Sequence, residues 1–313
     1  MSKKAQKSTK PQASKTQQDV RLGQALLVRA NCFDWLAQCR SRSIQAIVTD
    51  PPYGLREFSE VEKQKRKHGT GGVWRIPPTF DGCQRMPLPR FTTLSSDEQR
   101  ALSSFFAEWA RLALRVLVPG GHVIIATNPL VSHFVYASML DAGFEKRGEI
   151  IRLVQTLRGG DRPKNAHEEF PEVTVMPRSA WEPWGLFRKP CVGPVRDNLR
   201  KWKAGGLRRE SESRPFTDVI PCSPTRPAER ALAPHPSLKP QHFMRQVVRA
   251  ALPLGTGVVL DPFMGGGSTI AAAEFNGYRS IGVESDPAYF SLAVAAVPRL
   301  TTFSGRKART RAQ

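Results

Sequence analysis

The stretch A-I-V-T-D-P-P-Y-G, residues 46–54, runs apolar and β-branched residues into an acid, two prolines and a tyrosine. Prolines close strands because they cannot donate to the ladder, so one reading is a plain strand exit. The other is presentation: the Asp50 carboxylate, the carbonyls of Pro51 and Pro52 and the Tyr53 ring, all offered to a substrate.

A second stretch, L-D-P-F-M-G-G-G-S-T-I-A-A-A-E at 260–274, puts Asp261 and Phe263 after an apolar run, then Gly265, Gly266 and Gly267, then Ser268 and Thr269 opening an alanine-rich helix. Glycines admit a ligand to the backbone, and a helix start offers free N–H groups. Open parallel sheets bind their ligands at such strand ends. A tight strand–helix turn needs one glycine, not three. No lysine follows, so this is not a Walker loop, and G-x-G-x-x-G is not matched. The next strand ends in Glu284 and Ser285; an acid there suits ribose hydroxyls, whereas Asp261 suits a cationic or amino-bearing group. S-adenosylmethionine satisfies both acids without a phosphate site; on these residues alone other nucleosides stay open.

The elements around these stretches alternate. Strands are predicted at 24–30, 44–50, 122–127, 149–155, 172–177, 257–261 and 279–284. Helices are predicted at about 33–39, from Ser96 or Asp97 to about Val116, at 131–142, 242–252, 268–273 and 287–296. Strands 44–50 and 122–127 are apolar on both faces, as central parallel strands are. The alternation predicts an α/β fold with a mostly parallel sheet. Residues 55–90 read as a long mobile loop. From 178 to 234 the periodicity dissolves into prolines, arginines and Trp181, Trp184 and Trp202, which reads as a separate insertion.

Of 313 residues, 40% are hydrophobic, enough for a buried core, and no run approaches a membrane span. The lysine-rich N-terminus lacks the apolar segment of a secretory signal. Five cysteines without a C-x-x-C pair argue against a zinc site or disulfide framework and fit a reducing cytoplasm. No metal is expected, and His68, His122, His133 and His167 read as core or surface residues. The net charge of +20 is concentrated: +5 in residues 1–21, +3 in 55–77, +6 in 185–214 and +4 in 301–313. A near-neutral scaffold with basic appendages suits a polyanionic partner such as nucleic acid.

Taken together the motifs resemble the amino-group DNA methyltransferases. D-P-P-Y-G at 50–54 looks like that family's catalytic motif, and D-P-F-M-G-G-G-S-T at 261–269 like its cofactor motif. Their order, catalytic first, is similar to the β class. H-P-S-L-K-P at 235–240, I-G-V-E-S-D-P-A-Y at 281–289 and P-G-G-H-V-I-I at 119–125 match further family segments. The family often carries Gly-Asp where this chain has Ala30-Asn31, which removes a charge from that contact. The resemblance covers about 22–157 and 233–297.

It implies a Rossmann-like S-adenosylmethionine-dependent fold with circularly permuted motif order. A disordered basic tail at 1–21 would precede a catalytic half at 22–177, a target-recognition insertion at 178–234, a cofactor-binding half at 235–297 and a second basic tail at 298–313. Asp50, Pro51, Pro52 and Tyr53 would be catalytic. Asp261, Phe263, Gly265, Gly267, Ser268, Thr269, Glu284, Ser285, Asn31, His235, Ser237 and Lys239 would surround the cofactor. Arg196, Arg200, Lys201, Lys203, Arg208 and Arg209 would contact DNA.

The implied chemistry is methyl transfer to the exocyclic N6 of adenine in double-stranded DNA. That amino lone pair is delocalised into the ring. Asp50 and a prolyl carbonyl would accept its two hydrogens and orient it. The base would be flipped from the duplex, with Tyr53 stacking on it. In the family D-P-P-Y mostly accompanies adenine N6 and S-P-P-Y cytosine N4; cytosine N4, RNA and a catalytically silent binding module are the alternatives. A cytoplasmic protein encoded by a bacterium, plasmid or phage is implied, with a cognate restriction nuclease and a homodimer left open.

Overall fold

A computed structural model of the chain describes residues 18–52, 94–156, 163, 165–175, 177 and 179–304. Tyr53, the loop 55–90 and most of both basic tails lie outside the described residues.

The sequence alternation becomes one nine-stranded sheet in the order β1-β2-β9-β8-β3-β4-β6-β5-β7. The strands are β1 Gln18–Leu22, β2 Ala25–Arg29, β3 Ile44–Thr49, β4 Leu117–Ala126, β5 Glu145–Thr156, β6 Ser179–Arg188, β7 Val219–Pro221, β8 Val258–Asp261 and β9 Arg279–Glu284. The five central strands, β2, β9, β8, β3 and β4, run parallel. β6 pairs antiparallel with both β4 and β5.

Eight helices lie among the described residues: α1 Cys32–Gln38, α2 Ser96–Val116, α3 Ser132–Asp141, α4 Val195–Trp202, α5 Pro227–Leu232, α6 Gln241–Ala251, α7 Ser268–Phe275 and α8 Pro287–Thr302. Period-two alternation sends successive strand residues to opposite faces. Val28, Ile47, Val123 and Ile125 pack under α1, α2 and α3. Ala46, Val48, Ile124 and Val259 pack under α6 and α7, and Leu27 packs under α7 and α8. The result is a doubly wound α/β layer fold.

Local sequence explains the helix that braces the site. Ser95, not Ser96 or Asp97, caps α2: its hydroxyl accepts from Glu98 N, and Glu98 accepts from Ser95 N at 2.8 Å, a reciprocal capping box. Leu102, Phe106, Trp109, Ala113 and Val116 then recur every three or four residues and are buried.

Four expectations need correction. β1 starts at Gln18, so the last residues of the expected disordered tail form a strand paired with β2. Described residues of 172–177 form no strand. The strand is β6, further along the chain, and Pro183 inside it masked its pattern. Its pairing also puts the start of the expected insertion inside the main sheet. The last helix runs on through Pro298 to Thr302, beyond 296.

Candidate active site

β3 and β8 are neighbours in the sheet though more than two hundred residues separate them in sequence. Their parallel register, Ala46 against Val259 and Ile47 against Leu260, brings Asp50 and Asp261 to the same carboxyl edge. The Thr49 hydroxyl donates across the strands to Asp261 Oδ1 at 2.7 Å, and Phe263 N donates to the same oxygen at 3.1 Å. Asp261 is buried. Burial pushes its pKa up to about 6, against bonds from Thr269, Thr49 and Phe263 N, while the Asp50 charge adds to the rise. Among the described residues no cation is paired with it, so a ligand bearing positive charge would relieve it.

The glycine turn follows. Gly265 and Gly267 have φ of 49° and 83°. A Cβ on Gly265 would lie 3.0 Å from the His235 ring, and one on Gly267 2.5 Å from Val297, so both positions exclude a side chain. Gly265 N donates to Glu284 Oε2 at 2.9 Å and Asp286 N to Oε1 at 2.8 Å, fixing the carboxylate at the end of β9. Each oxygen keeps a further acceptor site. Phe263 lies against Phe105 and Trp109, ring centroids 6.1 and 6.2 Å away.

The other expected cofactor residues divide. His235 stacks edge-on with Tyr289 at 4.4 Å and backs the glycine turn. Ser268 Oγ accepts from Lys239 N at 3.2 Å, tying the turn to the segment before α6. Ser237 and Ser285 are exposed. Asn31 follows β2 beside Glu284, since Ala30 N donates to Glu284 O. Its Oδ1 is engaged in capping α1, accepting from Phe33 N at 2.8 Å. Lys239 reaches the other motif: its Nζ donates to Asp50 Oδ2.

Two charged residues beside Asp50 escaped the sequence reading. Glu182 and Arg152 are cross-strand partners on β6 and β5, paired at 3.0 Å. Glu182 also accepts from the Trp184 indole N–H at 2.8 Å and lies 4.0 Å from Lys239 Nζ. Burial works against the Lys239 charge, but Asp50 and Glu182 hold its pKa above the usual lysine value. Burial likewise opposes the Glu182 charge, and Lys239 and Arg152 hold its pKa below the usual carboxylate value. The only sequence signal was an acid between two tryptophans, Trp181 and Trp184.

The expected DNA contacts are elsewhere. β6 runs back from the carboxyl edge, pairing Trp184 with Ala126 and Arg188 with His122. Lys189 then bonds Gly120 and Gly121, at the start of β4. α4, with Arg196, Arg200 and Lys201, and Lys203 just after it, is pinned there by buried Asn198. Its Nδ2 donates to Pro119 O and Ala204 O, both at 2.8 Å, and its Oδ1 accepts from Val192 N at 3.2 Å. Arg208 donates to Tyr278 OH at 2.7 Å, just before β9, and Arg209 lies beside it. All six residues therefore sit at the amino edge of the parallel strands, the end opposite Asp50.

Among the described residues, no helix is long and apolar enough to cross a membrane, and no group of three metal-ligating side chains occurs. A family model described as DNA methylase, covering N6 and N4 enzymes, matches residues 44–295. The type II methyltransferase M2.DpnII of Streptococcus pneumoniae is 24% identical over 275 residues, 86% of this chain and 87% of that protein. M2.LlaDCHI of Lactococcus lactis subsp. cremoris is 23% identical over 286 residues, 89% and 91% of the two chains. Among solved structures, TTHA0409 of Thermus thermophilus complexed with S-adenosyl-L-methionine has a TM-score of 0.53 at 20% identity, covering 88% of this chain and 95% of that one. The cytosine-N4-specific PvuII DNA methyltransferase has a TM-score of 0.55 at 16% identity, covering 91% and 88%. These structures share the fold.

Proposed function

The chain belongs to the N6/N4 DNA methylase family, and from that premise we propose that it is a site-specific DNA methyltransferase acting on the exocyclic N6 of adenine. The observation that carries this reading is the convergence of Asp50 and Asp261 at one sheet edge, where Thr49, the residue before Asp50, donates to Asp261.

S-adenosylmethionine fits the residues present and, when bound, supplies an electrophilic methyl group. Asp261, Phe263, Gly265 and Glu284 would hold it, Glu284 toward the ribose. The buried Asp261 carboxylate, with no cation paired to it among the described residues, favours a ligand with positive charge.

The chain's own work is orientation. An amino group conjugated to a heterocycle is a poor nucleophile. Asp50, fixed at a strand end by the prolines that follow, accepts one amino hydrogen, and a carbonyl of Pro51 or Pro52 accepts the other. Two fixed acceptors localise the lone pair and aim it, which is proximity joined to preorganised electrostatics. Tyr53 would stack on the flipped base. The proton released after transfer leaves through Asp50 or to water.

Arg196, Arg200, Lys201, Lys203, Arg208 and Arg209 have a narrower role in this reading. At the edge opposite Asp50 they suit phosphate contacts with flanking DNA, which position a duplex without reading its bases. Reading the target sequence then falls to groups nearer the carboxyl edge.

The test is label transfer from tritiated S-adenosylmethionine to unmethylated duplex DNA, followed by nucleoside mass spectrometry. N6-methyladenine is expected. N4-methylcytosine in its place would move the assignment to the other base, and label in RNA alone would overturn it. Co-purification with a nuclease cutting the same unmethylated site would test a restriction partner.

A further inference from the structure

Four charged side chains from four separate segments close on one another at the catalytic edge. Asp50 follows β3, Lys239 precedes α6, Glu182 lies on β6 and Arg152 on β5. Two acids face two bases. The methyl-transfer reading uses only Asp50.

The members are not equally fixed. Glu182 is held by Arg152 at 3.0 Å and by the Trp184 indole at 2.8 Å. Arg152, with its side chain 7% exposed, also reaches Ser223 O at 3.5 Å. Lys239 has a four-carbon stem and a compact ammonium that can swing between partners. It has two carboxylates in reach: Asp50, which it bonds, and Glu182 Oε1 at 4.0 Å.

A target amino group needs the Asp50 carboxylate as its acceptor. An ammonium on that carboxylate neutralises it and weakens it as an acceptor for anything else. Removing the ammonium into a site this enclosed is costly unless another carboxylate receives it. Glu182 is such a carboxylate, already oriented.

We propose that Lys239 is a placeholder for the target amino group on Asp50, and that Glu182 is the positioning residue that receives Lys239 when the base enters. The array keeps its net charge throughout; one hydrogen bond moves from Asp50 to Glu182. This rests on Asp50 being the amino-group acceptor.

The test is a double-mutant cycle in methyl transfer to unmethylated genomic duplex DNA. Glu182→Gln is expected to lower kcat about 10- to 100-fold, the size of one charge-assisted hydrogen bond, with the cofactor Kd within about twofold. In the Lys239→Met background the same substitution should cost less than about threefold, because no ammonium is left to receive. Equal cost in both backgrounds would overturn the proposal. If Glu182→Gln does not fold, Glu182→Asp, which keeps the charge on a shorter arm, replaces it in the same cycle.

A readout without turnover is the ¹⁵N resonance of the lysine ammonium that disappears in Lys239→Met. In wild type it should shift when duplex DNA is added to protein saturated with S-adenosylhomocysteine, and in the Glu182 variant it should not. An unmoved resonance in wild type sinks the proposal. The premise fails separately: if Asp50→Ala transfers methyl groups as fast as wild type, Asp50 is not the acceptor, whatever the cycle gives.

Discussion

The two edges of the central sheet use charge in opposite ways. At the carboxyl edge Asp50 and Lys239 pair with side chains 16% and 12% exposed, and Arg152 and Glu182 pair next to them. At the amino edge Arg196 and Arg200 are 77% and 74% exposed and share one neighbouring acid, Asp197. Buried charges set one another's protonation, and removing one strands the next. Exposed pairs are screened and each is worth little, but together they attract a polyanion at a distance. What holds α4 at the amino edge is a neutral amide, Asn198, together with Arg188, which pairs with Glu145 and donates to Gly205 O at 3.0 Å. Structure and display are thus assigned to different residues at one edge and to the same residues at the other.

The largest expected effect breaks the carboxyl edge. Asp50→Ala should lower kcat for methyl transfer by at least about 100-fold, the scale of losing one preorganised acceptor, and should also lower the melting temperature, because the enclosed Lys239 ammonium is left with Glu182 at 4.0 Å in place of the carboxylate it bonded. Single-turnover label transfer checks it.

Asp261 comes next, and its sign is set by a folded pKa of about 6 against an ordinary value of 3.8. A raised carboxyl pKa means the folded state holds the proton more tightly, so burying the charged form costs stability above pH 6. That cost fades as pH falls from 6 toward 3.8. Without cofactor, Asp261→Asn should gain up to about 3 kcal/mol on wild type at pH 8, less what its lost hydrogen bonds were worth. The gain should vanish near pH 4, as read by denaturant melts across pH. Cofactor affinity of wild type should weaken as pH drops through about 6, measurable by calorimetry.

At the amino edge Asn198→Ala should cost about 1–3 kcal/mol, since it strands buried carbonyls of Pro119 and Ala204 and the Val192 amide. Hydrogen exchange in α4 should rise while the transfer rate on short duplexes changes little. If transfer falls in step with stability, the two edges are not separable. The smallest effects belong to Arg196→Gln or Arg200→Gln singly, a few tenths of a kcal/mol in stability. Each should lower the salt slope of DNA binding by no more than about 1. A loss of sequence preference in these variants would mean that the amino edge reads bases.

Much of this architecture was legible. Apolar, β-branched runs ending in Asp-Pro gave β3 and β8, and the spacing of Leu102, Phe106 and Trp109 gave α2. β6 was not legible, because S-A-W-E-P-W-G-L-F-R carries a proline, an acid and no clean alternation; its place is set by pairing with β4 and β5. Glu182 went with it. The Lys239–Asp50 contact spans 189 residues, and nothing local to either residue announces it. Charge counting found the basic segment but could not say at which edge it lies, since that depends on the direction of β6.

The adjacency of β3 and β8 also governs how the protein is made. β3 pairs with β4 on one side and β8 on the other, so while a ribosome has delivered only the first half of the chain, one flank of β3 has no strand to pair with. Such an open flank invites pairing with other chains, and contacts this distant in sequence form slowly. The interval before residues 258–284 emerge is therefore when the nascent protein is most exposed to misassociation, and the methyl-donor site can exist only after that interval closes.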